Sequence, residues 1–394
     1  MIPQIHLRRG KEESLLRRHP WIFSGAIESV RYDGNEIPEG ALVDVYTRSG
    51  DFIARGHYQI GSIAVRVLTF EQEPIDTAWW QRMISTALDV RRTLGLTDAP
   101  DTTCYRLVHG EGDSLPGLVV DIYDTTAVIQ CHSVGMYHAR LTIADAIRTV
   151  YGDRITAIYD KSSQTVPFKA GLNPVDGYLY GKTGGMPRTV LENGEKFLVN
   201  WEEGQKTGFF IDQRFNRELV RRYARGRTVL NTFCYTGGFS LALMAGGADS
   251  VVSVDSSGEA LALARENTER NGFPQDKCEW VEADVFEYLR KARDRGEKFD
   301  LIILDPPKFA STRYHVERAA RAYKDISLNG LKLLRTGGHL LTFSCSGAVD
   351  ADLFQKIVAG AVFDAGVNAW IVGRLGAGAD HPLLVTYPEG EYLK

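Results

Sequence analysis

The side chains best able to do chemistry lie in two short stretches about forty residues apart, Asp305-Pro306-Pro307-Lys308-Phe309 and Thr342-Phe343-Ser344-Cys345-Ser346. Each stretch follows an apolar run, at 299–304 and at 339–343, that predicts a buried parallel strand. In an open α/β sheet, ligands bind at the carboxyl ends of such strands. We therefore expect the Asp305 carboxyl and the Cys345 thiol to meet at one site.

A thiol beside a carboxyl group suits attack on a pyrimidine ring. Carbon 5 of cytosine or uracil is a poor nucleophile, and a thiolate that adds to carbon 6 makes it electron-rich. In this hypothesis Cys345 is the nucleophile, Asp305 holds a proton at the base, and Lys308 lowers the thiol pKa or binds phosphate.

The residues alone leave other interpretations of this site open. Cys345 could be a small buried hydrophobe at a strand end. Asp-Pro-Pro followed by an aromatic is typical of methyltransferases that act on exocyclic amines, where the ring stacks on the base. Here Phe309 is displaced by one position, which weakens the amine interpretation.

A glycine turn and three acidic strand ends predict a nucleotide-like cofactor. The turn lacks the Gly-x-Gly-x-x-Gly of an NAD site. Asp255, with Ser256 beside it, ends the next predicted strand, where an acid binds ribose hydroxyls, and Asp284 follows the third strand, where it could meet an adenine amino group. The ordinary structural explanations would be a tight turn for Gly237-Gly238 and a helix N-cap for Asp284. The order of these features favours S-adenosylmethionine, and the turn residues are Asn231, Thr232, Phe233, Tyr235, Thr236, Gly237 and Gly238.

The composition is that of a soluble globular protein with more than one domain. The chain has 394 residues, and its five cysteines include no Cys-x-x-Cys pair, which argues against a disulfide framework or a metal site and fits a reducing cytoplasm. No apolar run approaches the length of a membrane span, and the first residues lack the apolar core of a signal peptide.

Two basic runs stand out although the formal net charge is −4. Residues 1–19 carry five Arg/Lys against two Glu, and residues 206–227 carry seven against two acids. Such runs are usually solvated helix faces, but they could also bind RNA phosphates. The candidate RNA-binding residues are Arg8, Arg9, Lys11, Arg17, Arg18 and Phe309.

The chain divides into three predicted segments. Residues 1–74 contain short β-branched runs and predict a β-rich unit. Residues 75–185 predict a small α+β domain that opens with a helix capped by Asp76. Residues 186–394 alternate strand and helix and predict a doubly wound parallel sheet. Its strands are expected at 228–234, 250–255, 278–283, 299–305, 339–344 and 368–375.

Several motifs together resemble the ribosomal RNA large subunit methyltransferase I family. They are distributed over nearly the whole chain: His19–Phe23, Gly110–Gly117, Lys206–Arg214, Tyr235–Phe239, Asp305–Phe309, Arg321–Asp325, Phe343–Ser346, His381-Pro382 and Tyr387–Gly390.

The resemblance implies an N-terminal PUA domain, a central α+β domain and a C-terminal class I methyltransferase domain. It implies formation of 5-methylcytosine in 23S rRNA with Cys345 as nucleophile, and a donor pocket bordered by Phe210, Asp212 and Gln213. The substrate would be 23S rRNA or a large-subunit assembly intermediate, in the cytoplasm and away from membranes, and a homodimer is possible. The family continues past Tyr392-Leu393-Lys394 into a last strand, so a shortened sheet edge or a trimmed chain is expected.

Two other functions remain open at this point. One is an RNA exocyclic-amine or ring-nitrogen methyltransferase in which Cys345 is structural. The other is an RNA-binding or ribosome-assembly factor that keeps the fold without catalysis.

Overall fold

The computed structural model describes residues 2–167, 171–310 and 312–394. The chain forms two compact units. The first comprises Met1–Val190, Val199–Ile211 and Ala379–Gly390, and the second comprises Leu191–Leu198, Asp212–Gly378 and Glu391–Lys394. The division into three segments at residues 74 and 185 remains a prediction.

The first unit begins with a curled six-stranded sheet. Its strands are β1 (Gln4–Leu7), β2 (Trp21–Phe23), β3 (Ile27–Arg31), β4 (Leu42–Tyr46), β5 (Phe52–Tyr58) and β6 (Ile63–Thr69), with the short helix α1 (Glu13–Leu16) after β1. The strand order is β2-β6-β5-β4-β1-β3, and only the β1–β4 pair is parallel. Alternate residues such as Ile5, Leu7, Val43 and Val45 are fully buried, as period-two patterning requires.

A five-stranded sheet packed with two long helices completes the first unit. Its elements are α2 (Thr77–Thr93), β7 (Cys104–His109), β8 (Leu118–Tyr123), β9 (Thr126–Cys131), α3 (Val134–Tyr151), β10 (Ala157–Asp160) and β11 (Gly177–Tyr180), in the order β11-β10-β9-β8-β7. The predicted cap of α2 is confirmed, because the Asp76 carboxylate accepts a hydrogen bond from Trp79 N at 2.9 Å. The chain then continues through a hairpin, β12 (Arg188–Glu192) and β13 (Glu195–Val199).

The second unit is a parallel sheet with helices between its strands, so the predicted doubly wound fold is confirmed. Its strand order is β16-β15-β14-β17-β18, and every pair is parallel. The elements are α4 (Arg214–Tyr223), β14 (Thr228–Thr232), α5 (Gly238–Ala245), β15 (Ser250–Asp255), α6 (Gly258–Arg270), β16 (Cys278–Glu282), α7 (Val285–Asp294), β17 (Phe299–Leu304), α8 (Val316–Leu333), β18 (Leu334–Thr342) and α9 (Ala351–Ala365).

The predicted strand at 368–375 is wrong. This segment follows α9 and is not assigned to any sheet. Trp370 is 82% exposed and Val372 is 79% exposed, whereas Leu375 is partly buried against a hydrophobic cluster. The apolar pattern is present, but a strand also needs a neighbour that supplies its ladder of hydrogen bonds, and the described residues provide none.

Part of the second basic run lies inside the protein. Arg214 and Arg217 are each 3% exposed, and both pair with the buried Glu192, Arg217 with two hydrogen bonds of 2.5 and 2.7 Å. Arg221 pairs with Glu195. The alternatives of a solvated face or a phosphate contact are therefore wrong for Arg214 and Arg217, because their charge is committed to a buried carboxylate.

Among the described residues, no helix combines the length and the apolar composition that crossing a bilayer requires.

Candidate active site

The ends of β17 and β18 bring the two chemical stretches together. Leu304 lies opposite Thr342 in the parallel ladder, and Phe343 N donates to Leu304 O at 2.9 Å. Just beyond this point, the Cys345 thiol lies 3.9 Å from the carbonyl oxygen of Pro306. Cys345 is partly exposed. Its sulfur lies beside the Asp305-Pro306 backbone, at the carboxyl edge of the sheet.

Hydrogen bonds from the start of α4 orient the Asp305 carboxylate. Gln213 Nε2 donates to Asp305 Oδ1 at 3.0 Å, and Asn216 Nδ2 donates to Gln213 Oε1 at 2.6 Å. Gln213 and Asn216 are each 3% exposed, so water competes little for these bonds. Sequence reasoning missed Asn216. Its spacing of three residues from Gln213, which precedes α4 directly, was the available signal.

The turn that carries Cys345 is held by buried hydroxyls. Ser344 and Ser346 are fully buried. Ser346 Oγ accepts from Ala310 N at 3.1 Å and shares a hydrogen bond of 2.9 Å with the Tyr323 hydroxyl. Burial raises the pKa of Tyr323, so its hydroxyl keeps its proton. Tyr323 belongs to one of the motifs that carry the family resemblance, but no role was predicted for it.

Three of the other cysteines lie in settings that suppress the thiolate. Burial raises the pKa of Cys131 to about 12, that of Cys278 to about 11 and that of Cys234 well above its ordinary value. Cys104 is buried. A nucleophilic thiolate is therefore disfavoured at Cys131, Cys234 and Cys278 near neutral pH.

The two residues after the prolines differ in their surroundings. Lys308 is exposed. Phe309 is half-buried, and its ring centroid lies 4.8 Å from that of Tyr323 and 5.8 Å from that of Phe286. Much of the Phe309 ring is therefore engaged in an aromatic cluster of the protein.

The predicted cofactor turn has an unusual backbone. Phe233, Tyr235 and Gly237 all have positive φ angles, of 55°, 47° and 83°. Tyr235 N donates to Asp255 Oδ2 at 2.8 Å, and Ser257 N donates to Asp255 Oδ1 at 3.0 Å, which ties the turn to the end of β15. Non-glycine residues in this conformation carry strain that concentrates at ligand sites, as expected where a backbone passes close to a bound molecule.

The remaining predicted donor residues fall into two groups. The Asn231 and Thr232 side chains are fully buried and bond to Ser240 Oγ and Ile303 O, so they fasten the sheet from inside. Ser256 and Asp284 are exposed at the ends of their strands. One Asp284 oxygen caps α7 through Glu287 N at 2.9 Å, which leaves the other oxygen available. Thr236 and Gly238 complete the turn, buried and half-buried respectively.

Asp212 and Phe210 belong to different units. Asp212, in the second unit, is 5% exposed, and its Oδ2 accepts from the Tyr392 hydroxyl at 2.8 Å. Phe210, in the first unit, is half-buried with Lys206 Nζ 4.2 Å from its ring centroid.

These residues fit S-adenosylmethionine. The acids Asp255, Asp284 and Asp305 follow three strands of one parallel sheet, and the strained turn lies at the end of a fourth. Carboxylates at this edge can accept hydrogen bonds from ribose hydroxyls and from an amino group. Their negative charge also favours binding of the positive sulfonium.

One pocket lies away from this site. It has a volume of about 560 Å³ and is lined by residues that include Thr228, Glu279, Tyr288 and Phe299. Thr228 and Phe299 begin β14 and β17, so this pocket lies towards the amino ends of those strands, away from Cys345.

The predicted RNA-binding cations of the first unit are on its surface. Arg8, Arg9, Lys11, Arg17 and Arg18 are all exposed. Lys11 borders a pocket of about 300 Å³ whose lining includes Trp21 and Phe23. Phe23 is 49% exposed, whereas Trp21 is half-buried and donates to Glu111 Oε1 at 2.8 Å.

Comparison with known proteins identifies two domains in the chain. Residues 179–378 match the family of S-adenosylmethionine-dependent methyltransferases, and residues 5–70 match a PUA-like domain. A structure from Streptococcus mutans, assigned as a SAM-dependent methyltransferase, superposes with a TM-score of 0.85 at 24% identity and covers 100% of this chain and 98% of that one. A second, solved in complex with SAH, has a TM-score of 0.85 at 25% identity with the same coverage.

Curated relatives match along the full length. The chain is 44% identical over 396 residues to ribosomal RNA large subunit methyltransferase I of Klebsiella pneumoniae, covering 100% of this chain and 97% of that protein. It is 46% identical over 397 residues to the protein of the same name from Aeromonas hydrophila, covering 100% and 98%. These matches, together with the site at the sheet edge, show that the chain is an S-adenosylmethionine-dependent methyltransferase and belongs to the ribosomal RNA large subunit methyltransferase I family.

Proposed function

We propose that this enzyme methylates carbon 5 of a cytosine in 23S rRNA and that Cys345 is its covalent nucleophile. The names of its relatives support large-subunit rRNA as the substrate class. The observation that carries the chemistry is the partly exposed Cys345 thiol beside the Asp305-Pro306 backbone. Such a substrate would be met in the cytoplasm, where free thiols persist.

The reaction begins at the thiol. The Cys345 thiolate adds to carbon 6 of cytosine, forming an S–C bond, and the electron pair of the 5,6 double bond moves into the ring. Asp305, in its protonated form, donates a hydrogen bond or its proton to ring nitrogen 3 and so accommodates the added electrons. The bond from Gln213 fixes the direction of that carboxyl group.

Bound S-adenosylmethionine supplies an electrophilic methyl group on a sulfonium. Carbon 5 takes that methyl group and the sulfonium leaves as a neutral thioether. Removal of the carbon 5 proton by a base then returns an electron pair to the 5,6 bond and expels the Cys345 thiolate. The turn fixed by Ser346 and Tyr323 holds the sulfur in place through both the addition and the elimination.

Replacing the nucleophile tests this proposal. Cys345→Ala should lower the rate of methyl transfer to 23S rRNA about 10³-fold or more, since the covalent route is removed. Cys278→Ala, which removes a half-buried thiol on β16, is the matched control and should keep turnover. RNA that contains 5-fluorocytosine should trap wild type and Cys278→Ala as denaturation-resistant adducts, because fluorine cannot leave as a proton does.

Two results would overturn the proposal. Near-normal turnover of Cys345→Ala with no adduct in wild type would favour methylation of an exocyclic amine or ring nitrogen, with Asp305 orienting the amine. Mass-spectrometric mapping of modified nucleosides in rRNA from cells lacking the protein identifies the product: loss of a 5-methylcytosine supports the proposal, and loss of another methylated base contradicts it.

A further inference from the structure

The final residues of the second unit hold the two neighbours of Cys345. Lys394 N donates to Ser344 O at 3.0 Å, and Ser344 N donates to Lys394 O at 2.9 Å. This reciprocal pair has the pattern of a short antiparallel ladder. It fixes the residue immediately before the proposed nucleophile.

The Lys394 side chain reaches the residue on the other side. Its Nζ donates to Ser346 O at 3.1 Å and to Tyr392 O at 3.0 Å. Backbone and side chain of Lys394 thus contact both Ser344 and Ser346, and Cys345 lies between them. The amine is half-buried, and its two carbonyl contacts fix its position.

We propose that Lys394 is the positioning residue of the nucleophile: it clamps the Cys345 turn and supplies the positive charge that stabilises the thiolate. This inference rests on the proposed role of Cys345. It replaces the expectation that the charge comes from Lys308, which is exposed and next to Phe309 on the loop after β17.

The electrostatic coupling is consistent with this geometry. Burial lowers the pKa of Lys394, while Glu391, Asp350 and Cys345 raise it and Lys308 lowers it. Because a Coulomb interaction is mutual, an ammonium stabilised by the thiolate stabilises that thiolate equally.

Other groups also act on the thiol. From α8, the Tyr323 hydroxyl interacts with Cys345, and Asp305 belongs to the loop after β17. Asp350 at the start of α9, Glu391 and Lys308 interact with the Lys394 amine. A negative charge near the thiol opposes thiolate formation, and the two cations among these groups are Lys394 and Lys308.

The test is the pH dependence of Cys345 alkylation by iodoacetamide, measured by peptide mass spectrometry without RNA. Lys394→Met should raise the midpoint of alkylation by about one pH unit, since a nearby opposite charge typically shifts a pKa by about one to three units and this site is half-exposed. At neutral pH the Cys345 alkylation rate should fall about tenfold.

Three further variants separate the effect of the Lys394 charge from the effect of its hydrogen bonds. Lys394→Gln keeps a hydrogen-bond donor without the charge and should raise the midpoint as Met does, whereas Lys394→Arg should keep it close to wild type. Lys308→Met should leave the midpoint in place. Calorimetric binding of S-adenosylmethionine reports whether each variant is folded.

An unchanged midpoint in both folded, uncharged Lys394 variants would overturn the proposal. So would a shift in Lys308→Met that exceeds theirs. If the proposed function itself is wrong, the midpoint still moves with Lys394 while Cys345→Ala retains turnover, so the two failures are distinguishable.

Discussion

Gln213 donates a hydrogen bond of 3.0 Å to Asp305 across two elements that are far apart in the chain, the start of α4 and the end of β17. Gln213 is itself held by Asn216 at 2.6 Å. The carboxyl group that is proposed to act on the base therefore has an orientation set by a buried amide and not by solvent.

Gln213→Leu should lower kcat about tenfold or more, because hydrogen bonds to charged groups contribute about 1.5–3 kcal/mol. Removal of a donor to the carboxylate should also raise the Asp305 pKa. Because Asp305 acts in its protonated form, the alkaline limb of the pH–rate profile should move upward. Steady-state methylation of 23S rRNA across pH measures both effects. The control is Gln275→Leu, an exposed glutamine whose amide donates to Phe273 O. An unaltered pH profile in folded Gln213→Leu would contradict the role given to this bond.

Gly237→Ala should weaken binding of S-adenosylmethionine. Gly237 has φ +83°, and a Cβ there would lie 3.0 Å from Ala264 Cβ. The left-handed conformation costs an alanine about 1–2 kcal/mol, and the crowding pushes the turn away from α6. Isothermal calorimetry should show at least a tenfold higher Kd for the donor.

The control for this glycine is Gly272→Ala. Gly272 has a similar φ of +70° but nothing within 4 Å of an added Cβ, and it follows α6 away from the turn. Gly272→Ala should lose about as much thermal stability as Gly237→Ala, but it should bind the donor as wild type does. Equal donor affinity in the two variants would show that the conformation of the turn does not control the site.

The strands of the parallel sheet that carry the site could be predicted because β15 and β17 are mainly apolar, and the apolar end of β18 leads into the Cys345 turn. Asp255, Asp305 and Cys345 could therefore be placed at one edge from the sequence alone. Pairing was harder to predict: the run at 368–375 has strand-like composition, but a ladder depends on a neighbour that the run itself does not encode.

The contacts that tune the site were mostly invisible in the sequence. Tyr323 and Lys394 act through hydrogen bonds to Ser346, which is distant from both in the chain, and no periodicity reports such partners. Asn216 is different, because its partner Gln213 is only three residues away. Charge runs were also ambiguous. Arg214 and Arg217 look like a phosphate-binding face in the sequence, but the buried Glu192 binds both.

Charge reversal at Arg8 and Arg9 should weaken RNA binding without changing donor binding. Both side chains are exposed in the first unit, and removing one phosphate-binding cation should reduce the slope of log K against log salt by about one. Filter binding of 23S rRNA fragments at several salt concentrations measures this slope. Arg265→Glu/Lys356→Glu, which reverses two exposed charges on α6 and α9, is the charge-matched control. The same weakening in both double variants would assign the effect to overall charge.

The first unit should lose stability in mild acid because of the buried His57, which is 6% exposed. Burial lowers the pKa of His57 to about 4, against about 6.5 for the unfolded chain. Between pH 6.5 and about 4 the histidine binds a proton in the unfolded state but not in the folded state. The contribution of His57 to the free energy of unfolding should therefore fall with falling pH in that window, by up to about 1.4 kcal/mol per pH unit, and stay level above it.

Urea unfolding at pH 7, 6, 5 and 4.5, followed by hydrogen exchange in β5, measures this dependence. His57→Gln removes this titrating group and should therefore flatten the slope, even if it lowers stability at pH 7. The exposed His315→Gln is the control and should retain the wild-type slope. A His57→Gln slope as steep as that of wild type would show that His57 already takes up its proton in the folded protein, and the acid sensitivity would then belong to other groups.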